Sequence, residues 1–175
     1  DALELLAGMA SQAAIAVDNA KLHDNARRQH ALERDLELAH KVQRGLLPAA
    51  TPRLEGYHFF DFYEPANQVG GDYYDYIELP NGRLAVVLGD VSGKGVSAAL
   101  LMAKLSGAVR YFLASEPSPA AAVSRINASF RGSGWQDGFV PFVSAILTAC
   151  KDEITLFKPG PMPACPGYGS ASVAP

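Results

Sequence analysis

The chain contains the segments Val69-Gly70-Gly71-Asp72-Tyr73-Tyr74-Asp75 and Gly89-Asp90-Val91-Ser92-Gly93-Lys94-Gly95, and the residues between them indicate how it folds. Residues 73–79 and 83–88 are rich in aromatic and branched apolar side chains, as β-strands are. They flank Pro80-Asn81-Gly82, and Asn-Gly between two such runs is a strong signal for a β-hairpin. We therefore predict a hairpin that brings the two segments together.

The predicted hairpin places two carboxylates near each other. With Asn81-Gly82 as a two-residue turn, Asp90 lies opposite Tyr73, and Asp72 lies opposite Val91. A one-residue bulge would set the two aspartates directly across from each other. Like charges at such positions repel unless a cation lies between them or one carboxyl keeps its proton. A divalent metal ion satisfies this requirement.

The residue types around these aspartates indicate which metal would bind. The two segments supply carboxylate and backbone oxygens and contain neither histidine nor cysteine. Oxygen ligands favour the hard ions Mg²⁺ and Mn²⁺ over zinc or copper. Gly70 and Gly71 permit close approach of the backbone, and the glycines of the second segment permit a tight turn from strand into helix. The sequence thus predicts an oxygen-ligated Mg²⁺ or Mn²⁺ site.

The second segment also has simpler interpretations. A turn from a strand into a helix with an aspartate N-cap occurs in many proteins. A phosphate-binding loop of the Walker A type needs four residues between its first glycine and its Gly-Lys pair, but here three precede Gly93-Lys94. The second aspartate, Asp72, which the hairpin brings alongside, favours the metal site over the simple turn.

Composition limits the class of protein. The chain has 175 residues, 49% of them hydrophobic, and a net charge of −3, which suits one domain with a core and an appendage. The weak acidity and the lack of basic runs interleaved with aromatic residues argue against a nucleic-acid partner. Only Cys150 and Cys165 are present, which fits a reducing cytoplasm. No run approaches the about 18 apolar residues of a membrane span, so we expect no membrane crossing in this segment.

Residues 1–47 predict one long helix or two stacked helices. They lack proline and are rich in helix-forming residues, and Pro48 follows them. Near their end, apolar positions are spaced alternately by four and three residues, as in a short heptad seam. The seam consists of Leu32, Leu36, Ala39, Gln43 and Leu46. It is equally compatible with a helix packed on its own domain and with a parallel dimer.

Hydrophobic periodicity and helix breakers predict the elements of the remaining chain. These are a first strand over 57–64, a buried helix over 96–115, a helix over 120–130, and a strand pair over 139–148 and 153–157. Residues 158–175 are rich in proline, glycine, alanine and serine, so we predict a disordered tail there.

Three ordered motifs resemble the SpoIIE-like, RsbU-like branch of the PPM metal-dependent serine/threonine phosphatases. Residues 38–48 (LAHKVQRGLLP) resemble the first motif of that family, residues 69–75 its G-G-D-x-Y-D motif, and residues 89–100 its G-D-V-S-G-K-G-x-x-A-A-L motif. The resemblance covers residues 36–157. Residues 1–25, which contain QAAIAVDNA, are similar to the last helix of a GAF sensor domain.

The resemblance implies an α+β fold, in which a long N-terminal helix precedes an incomplete PPM-type α-β-β-α sandwich with antiparallel sheet. Four regions follow from it. They are the terminal helix of a GAF-like sensor domain over 1–25, a linker helix with coiled-coil character over 26–50, a partial SpoIIE-like phosphatase domain over 51–157, and the predicted disordered tail over 158–175.

The resemblance also implies a binuclear Mn²⁺ or Mg²⁺ centre. Asp90 would bridge both ions, the backbone carbonyl of Val91 would be a further ligand, and Asp72 would bind directly or through a water molecule. Metal-activated water would then attack a phosphoserine or phosphothreonine in line, without a protein nucleophile. Lys94 is a candidate for binding the substrate phosphate and is equally compatible with a solvated loop lysine.

In this family the substrate is typically a phosphorylated anti-sigma-factor antagonist. The implied partner is therefore a phosphoprotein in bacterial-type signalling, and the linker helix would support a homodimer. Asp75 and Glu78 are lesser candidates for the site. Strand alternation places Asp75 on the opposite face from Tyr74, where we expect it to hold a water near the site or, as the better expectation, to face solvent.

A second interpretation remains open at the sequence level. The family carries two later motifs, T-D-G-V-x-E and D-D-x-T, which this sequence lacks, and residues 158–163 read KPGPMP where the family usually has N-A-G-H. A site with fewer carboxylates binds hard cations more weakly. The alternative is thus a catalytically incomplete fragment or pseudophosphatase that acts as a dimerising, partner-binding signalling module.

Overall fold

The computed structural model describes residues 2–65, 67–131, 140–148, 154–158 and 169–173. Its elements, in chain order, are α1 (Ala2–Arg44), β1 (Asp72–Leu79), β2 (Arg83–Asp90), α2 (Val96–Ser115), α3 (Pro119–Arg131), β3 (Phe142–Thr148), β4 (Ile154–Lys158) and β5 (Gly169–Val173). The chain divides into two compact units, Asp1–Ala39 and His40–Pro175. Cys150 and Cys165 lie outside the described residues.

The first unit is a stretch of one continuous helix. Helix α1 spans Ala2–Arg44, which confirms the single long helix among the two predicted arrangements. The side chains of residues 2–35 are all exposed, including Leu5, Met9 and Ile15. An isolated helix has little stability of its own in water, and burial of an apolar stripe normally stabilises it. The predicted boundary between 25 and 26 falls within this helix and stays a prediction.

The second unit is built on an antiparallel sheet with the order β1-β2-β3-β4-β5. Each strand pairs with its neighbour in sequence, so short connections suffice. Helix α2 contacts β1 and packs with α3. The core between helices and sheet includes Tyr73, Ala85, Val87, Met102, Leu105, Val109, Ile126 and Phe142. The α+β class and the antiparallel sheet are confirmed.

The hairpin forms where it was predicted, but its register differs by one residue. Leu79 pairs with Arg83, so the connection has three residues, 80–82, and Asp72 pairs directly with Asp90. Asn81 and Gly82 adopt φ values of 65° and 67°. A two-residue turn would place Pro80 in the closing hydrogen-bonded pair, but proline has no backbone N–H to donate. The longer connection removes proline from the ladder, and no bulge is needed to bring the aspartates together.

Helix α2 is the predicted buried helix. Its length and mean hydropathy would also suit a membrane span. One face of the helix, however, packs into the core through Met102, Leu105 and Val109, each 0% exposed. The core helix of a folded domain passes the same composition test, and this packing accounts for the apolar character of α2.

Gly107 gives a test of the packing around α2. It lies on the exposed side of the helix, and a Cβ at this position would meet no atom within 4 Å. Glycine in a helix interior costs about 0.5–1 kcal/mol relative to alanine. Gly107→Ala should therefore raise the free energy of unfolding by about that amount, as measured by urea denaturation. A lower value would mean that another surface covers this side of α2.

The predicted first strand over 57–64 is wrong. The segment pairs only at an isolated bridge between Leu54 and Tyr57, and residues 58–64 form no ladder. Its side chains nevertheless alternate, with Phe59, Asp61 and Tyr63 half-buried and the residues between them exposed. The alternation reports contact of one side with the sheet, because Phe59 packs edge-on against Tyr76 at 5.6 Å between ring centroids. Alternation alone does not supply a backbone partner.

The predicted disordered tail over 158–175 requires a partial correction. Lys158 belongs to β4, and Gly169–Val173 forms β5, which pairs with β4 from Ile154↔Val173 to Lys158↔Gly169. The edge of β4 offers unpaired N–H and C=O groups, and a short segment of small residues can pair with such an edge despite its composition. Residues 159–168 and 174–175 lie outside the described part of the chain.

Candidate metal centre

Asp72 and Asp90 lie side by side at one end of the β1–β2 hairpin. Asp72 begins β1, Asp90 ends β2, and the two are direct partners in the antiparallel register. Both side chains reach solvent. Directly opposed residues of an antiparallel pair have Cβ atoms about 4.5–5.5 Å apart. The structure therefore places both predicted ligands within reach of one ion.

The electrostatics of this pair show the repulsion that the sequence predicted. The pKa of Asp72 is raised by its partial burial, by the negative charge of Asp90 and by a hydrogen bond to the Asp90 side chain. In the absence of a cation, the pair is relieved when one carboxyl holds a proton that both share. A divalent cation would replace that proton and favour the ionised form of both carboxyls.

Gly71 and Val91 hold the two aspartates in this arrangement. The N–H of Val91 donates to the carbonyl of Gly71 at 3.2 Å, which extends the hairpin pairing past both aspartates. A Cβ at Gly71 would overlap the carbonyl oxygen of Val91 and crowd Ala98 at 3.3 Å. Glycine is thus required at position 71 for close approach, as the sequence predicted. The role of the Val91 carbonyl as a metal ligand stays a prediction.

The last turn of α1 holds the loop in front of Asp72. The Gln43 side-chain Nε2 donates to the Gly70 carbonyl at 2.6 Å, and its Oε1 accepts from the Gly70 N–H at 3.0 Å. Gln43 is 4% exposed, and His40 Nδ1 lies 2.5 Å from the Gln68 carbonyl oxygen. The sequence placed Gln43 in the heptad seam and missed this role. A polar residue at an otherwise apolar seam position was the available signal.

The hydrogen bonds of Gln43 predict that Gln43→Glu, which replaces the side-chain NH₂ group by an oxygen, lowers stability. In Gln43→Glu, the group that donates to the Gly70 carbonyl becomes an acceptor, so two acceptors face each other in a buried place. Leaving a buried group unpaired costs about 1–3 kcal/mol. Urea denaturation should show this loss, whereas Gln29→Glu on the exposed part of α1 should change stability by less than about 0.5 kcal/mol. Equal small effects of both changes would contradict the role of Gln43.

Asp75 occupies a different environment from the one predicted. Its side chain is buried at 2% exposure on the helix-facing side of β1, so the expectation that it faces solvent or holds water at the site is wrong. Arg110 of α2 contacts its carboxylate through Nε at 2.6 Å and Nη2 at 3.2 Å. The Tyr73 hydroxyl also donates to it, at 2.7 Å, and the pKa of Tyr73 is raised by burial and by Asp75. Asp75 thus lies on the opposite face from Asp72.

Two further candidates from the sequence, Lys94 and Glu78, have exposed side chains. Lys94 is exposed in the loop between β2 and α2, in which Gly93 and Gly95 have φ values of 112° and 72°. Its part in phosphate binding stays a prediction. Glu78 is exposed at the far end of β1. It lies six residues along the strand from Asp72, which removes it from the site.

Tyr63 lies beside the centre and was not predicted. Its hydroxyl oxygen is 3.4 Å from the place of a Cβ at Gly70, and it is buried without a hydrogen-bond partner among the described residues. Burial, followed by the charge of Asp72, raises the pKa of Tyr63. Tyr63, Asp72 and Asp90 line one open cavity of about 650 Å³.

The donor set fits Mn²⁺ or Mg²⁺ in type. It consists of two carboxylates and backbone carbonyls, all hard oxygen ligands. Within 2–65, 67–131, 140–148, 154–158 and 169–173, no cluster of three or more His, Cys, Asp or Glu side chains occurs. Water would have to supply much of the coordination, as it commonly does for Mg²⁺.

The comparison with known proteins agrees with the geometry of this centre. The family model of stage II sporulation protein E (SpoIIE) matches residues 80–165, which include Asp90, Val91 and the loop into α2. The chain therefore contains a SpoIIE-like region. Its first motif and Asp72 precede the matched range. This confirms the resemblance found in the sequence, and the likeness of residues 1–25 to a GAF helix stays a prediction.

Curated relatives of this chain include phosphoserine phosphatases and are longer than the chain. The protein IcfG of Synechocystis sp. is 31% identical over 115 residues, which is 64% of this chain and 18% of that protein. The phosphoserine phosphatase RsbU of Bacillus subtilis is 32% identical over 81 residues, 46% of this chain and 24% of RsbU. The chain therefore spans a quarter or less of the length of these relatives.

Solved structures with the same fold are PP2C phosphatase domains. The SiaA-PP2C domain of Pseudomonas aeruginosa has a TM-score of 0.67 at 20% identity, over 83% of this chain and 68% of that one. The PP2C domain of SpoIIE from Bacillus subtilis has a TM-score of 0.51 at 16% identity, over 61% of this chain and 37% of that one. At these identities the likeness shows the fold, which is of the PP2C type.

Proposed function

We propose that this chain carries the carboxylate hairpin of a Mn²⁺- or Mg²⁺-dependent protein serine/threonine phosphatase. The observation that supports it most directly is the pairing of Asp72 with Asp90 across the hairpin, with the raised pKa of Asp72 as its electrostatic consequence. The match of residues 80–165 to the SpoIIE family model and the names of the relatives RsbU and RsbP as phosphoserine phosphatases support the same function.

The residues would divide the work as follows. Asp72, Asp90 and the Val91 carbonyl would hold the metal, with two ions as in the family. Such ions activate water and stabilise the charge that develops on a transferred phosphoryl group. Gly71 keeps the two carboxylates in register, and Gln43 holds the preceding loop. Lys94, exposed in the loop that follows Asp90, would attract the phosphate of the substrate.

The substrate we propose is a phosphorylated protein such as an anti-sigma-factor antagonist, in bacterial-type signalling in the cytoplasm. The RsbU and RsbP relatives support a phosphoserine substrate. Helix α1 would connect a GAF-type sensor to the phosphatase region. Exposed apolar residues of its linker part, such as Leu32 of the heptad seam, would pair with a second copy of the helix in a homodimer.

Phosphate release from a phosphoserine peptide across a Mn²⁺ titration tests the proposed activity. We expect saturable turnover in the wild type and a loss of at least about 100-fold in Asp90→Asn, since Asp90 would be one of only two carboxylates that hold the metal. Glu78→Gln, on the same hairpin but remote from the site, should leave turnover unchanged. No turnover in a wild type that still binds Mn²⁺ would favour the partner-binding pseudophosphatase instead.

A further inference from the structure

The guanidinium of Arg110 connects α2 to β1 and to the turn that follows α1. Arg110 of α2 makes a two-point contact with the Asp75 carboxylate on β1, through Nε at 2.6 Å and Nη2 at 3.2 Å. The same Nη2 donates to the carbonyl of Leu46, in the turn that follows α1, at 3.3 Å. The last carbonyls of a helix and of the turn after it lack partners in the helix, so this donor satisfies one of them.

The carboxylate of Asp75 is fully engaged. Besides the two contacts from Arg110, its Oδ2 accepts from the Tyr73 hydroxyl at 2.7 Å, and its Oδ1 accepts from the Tyr76 N–H at 2.9 Å. Ser106, one helical turn before Arg110 on α2, is buried as well. Two-point contacts between arginine and a carboxylate fix orientation as well as distance. The position of β1 against α2 is therefore set by directional polar contacts.

This arrangement acts on both halves of the metal centre. Asp72 lies three residues before Asp75 on β1, so the Asp75–Arg110 contact fixes the strand that carries Asp72. Asp90 ends β2, and a loop of five residues, 91–95, leads from it into α2. Helix α2 is thus tied to Asp72 through Arg110 and to Asp90 through the loop. We expect a shift of α2 along β1 to strain the loop that follows Asp90, one of the two proposed ligands.

We propose that Arg110 is a positioning residue that fixes β1, α2 and the turn after α1 in the arrangement that the metal centre requires. Its side chain is 50% exposed, whereas that of Asp75 is 2% exposed, so Arg110 covers the buried carboxylate from the solvent side. The proposal rests on the proposed metal centre. It predicts that metal affinity depends on a residue on the opposite face of the strand from both ligands.

Mn²⁺ affinity, measured by electron paramagnetic resonance of free Mn²⁺ in titrations of the full chain, tests this role. Arg110→Gln should weaken binding by about tenfold, the lower end of the range for residues that orient metal ligands. The Mn²⁺ affinity of Arg110→Lys should lie between those of Arg110→Gln and the wild type, because lysine keeps the charge but not the two-point contact. The double variant with Asp75→Asn and Arg110→Gln should lose no more Mn²⁺ affinity than the more strongly affected single variant, since both substitutions remove the same contact.

Two controls separate positioning from a general loss of stability. Leu113→Ala removes a core side chain at the far end of α2 and should lower the midpoint of thermal unfolding without changing Mn²⁺ affinity. Arg125→Gln, on α3, removes an arginine that pairs with Glu116 at the end of α2, and it should leave Mn²⁺ affinity unchanged. An Arg110→Gln variant that binds Mn²⁺ within about twofold of the wild type, or no weaker than Leu113→Ala, overturns the proposal. A wild type that binds no Mn²⁺ overturns the proposed function as well.

Discussion

Asp72→Asn should stabilise the metal-free chain at neutral pH and abolish its stabilisation by Mn²⁺. The pKa of Asp72 is raised by burial and by the charge of Asp90, so its ionised form is unfavourable in the folded state without a cation. Asparagine keeps the size of the side chain and removes the repulsion. It also removes one of two carboxylate ligands, which should weaken Mn²⁺ binding by more than about 100-fold.

The pH dependence of stability has a definite sign. A carboxyl whose pKa is higher in the folded than in the unfolded state binds its proton preferentially in the folded state. Its contribution therefore favours folding as pH falls from 7 towards about 4–5 and opposes folding at neutral pH. We expect urea denaturation in the presence of a chelator to show a smaller gain on acidification for Asp72→Asn than for the wild type. Glu78→Gln, an exposed change on the same strand, should behave as the wild type does.

The opposite outcome for Asp72→Asn would be informative. If this variant were less stable than the wild type at neutral pH without metal, Asp72 would make a favourable contact that outweighs its repulsion by Asp90. If its thermal midpoint still rose with Mn²⁺ as the wild type's does, the metal would bind elsewhere. Either result would remove the electrostatic support for a cation between these aspartates.

Gly71→Ala should disrupt the centre although it changes no ligand. A Cβ at this position would overlap the backbone carbonyl of Val91, and a backbone atom cannot rotate away as the end of a side chain can. Overpacking of this kind costs about 1–3 kcal/mol. Because the Gly71–Val91 pairing lies next to both aspartates, their separation should change as well. We expect lower stability in urea and Mn²⁺ binding at least about tenfold weaker.

Two other glycines provide matched controls for Gly71→Ala. Gly107→Ala makes the same change in open space and should be stabilising. Gly89→Ala would place its Cβ 2.9 Å from Leu105 Cδ2, the end of a flexible side chain that can move, so a smaller loss is expected. If Gly71→Ala bound Mn²⁺ as tightly as Gly107→Ala, close backbone approach at position 71 would not matter for the centre.

The sequence predicted the features that depend on local signals. Asn81-Gly82 between two strand-like runs placed the hairpin, and apolar periodicity placed α2. The predicted register is one residue off, because Pro80 has no N–H and cannot form the closing pair of a two-residue turn. The strand over 57–64 failed for a related reason, since side-chain alternation shows that one side is covered but does not show a hydrogen-bonding partner.

Contacts between distant residues were beyond local reasoning. Alternation placed Asp75 on the opposite face from Tyr74, but it could not show that this face is the one the helices cover. The partner of Asp75 lies 35 residues later, at Arg110, which in turn contacts Leu46 across 64 residues. Gln43 and Gly70 are likewise 27 residues apart. Such pairs follow from the packing of helices on the sheet, which a single sequence does not fix.

Direct Mn²⁺ binding tests the central claim, that the hairpin brings Asp72 and Asp90 together as ligands of one centre. Titrations monitored by the paramagnetic resonance of free Mn²⁺ should compare the wild type with Asp90→Asn and with Glu78→Gln. The account predicts saturable binding by the wild type and by Glu78→Gln, and binding at least about 100-fold weaker in Asp90→Asn. Equal binding by Asp90→Asn and the wild type would contradict it.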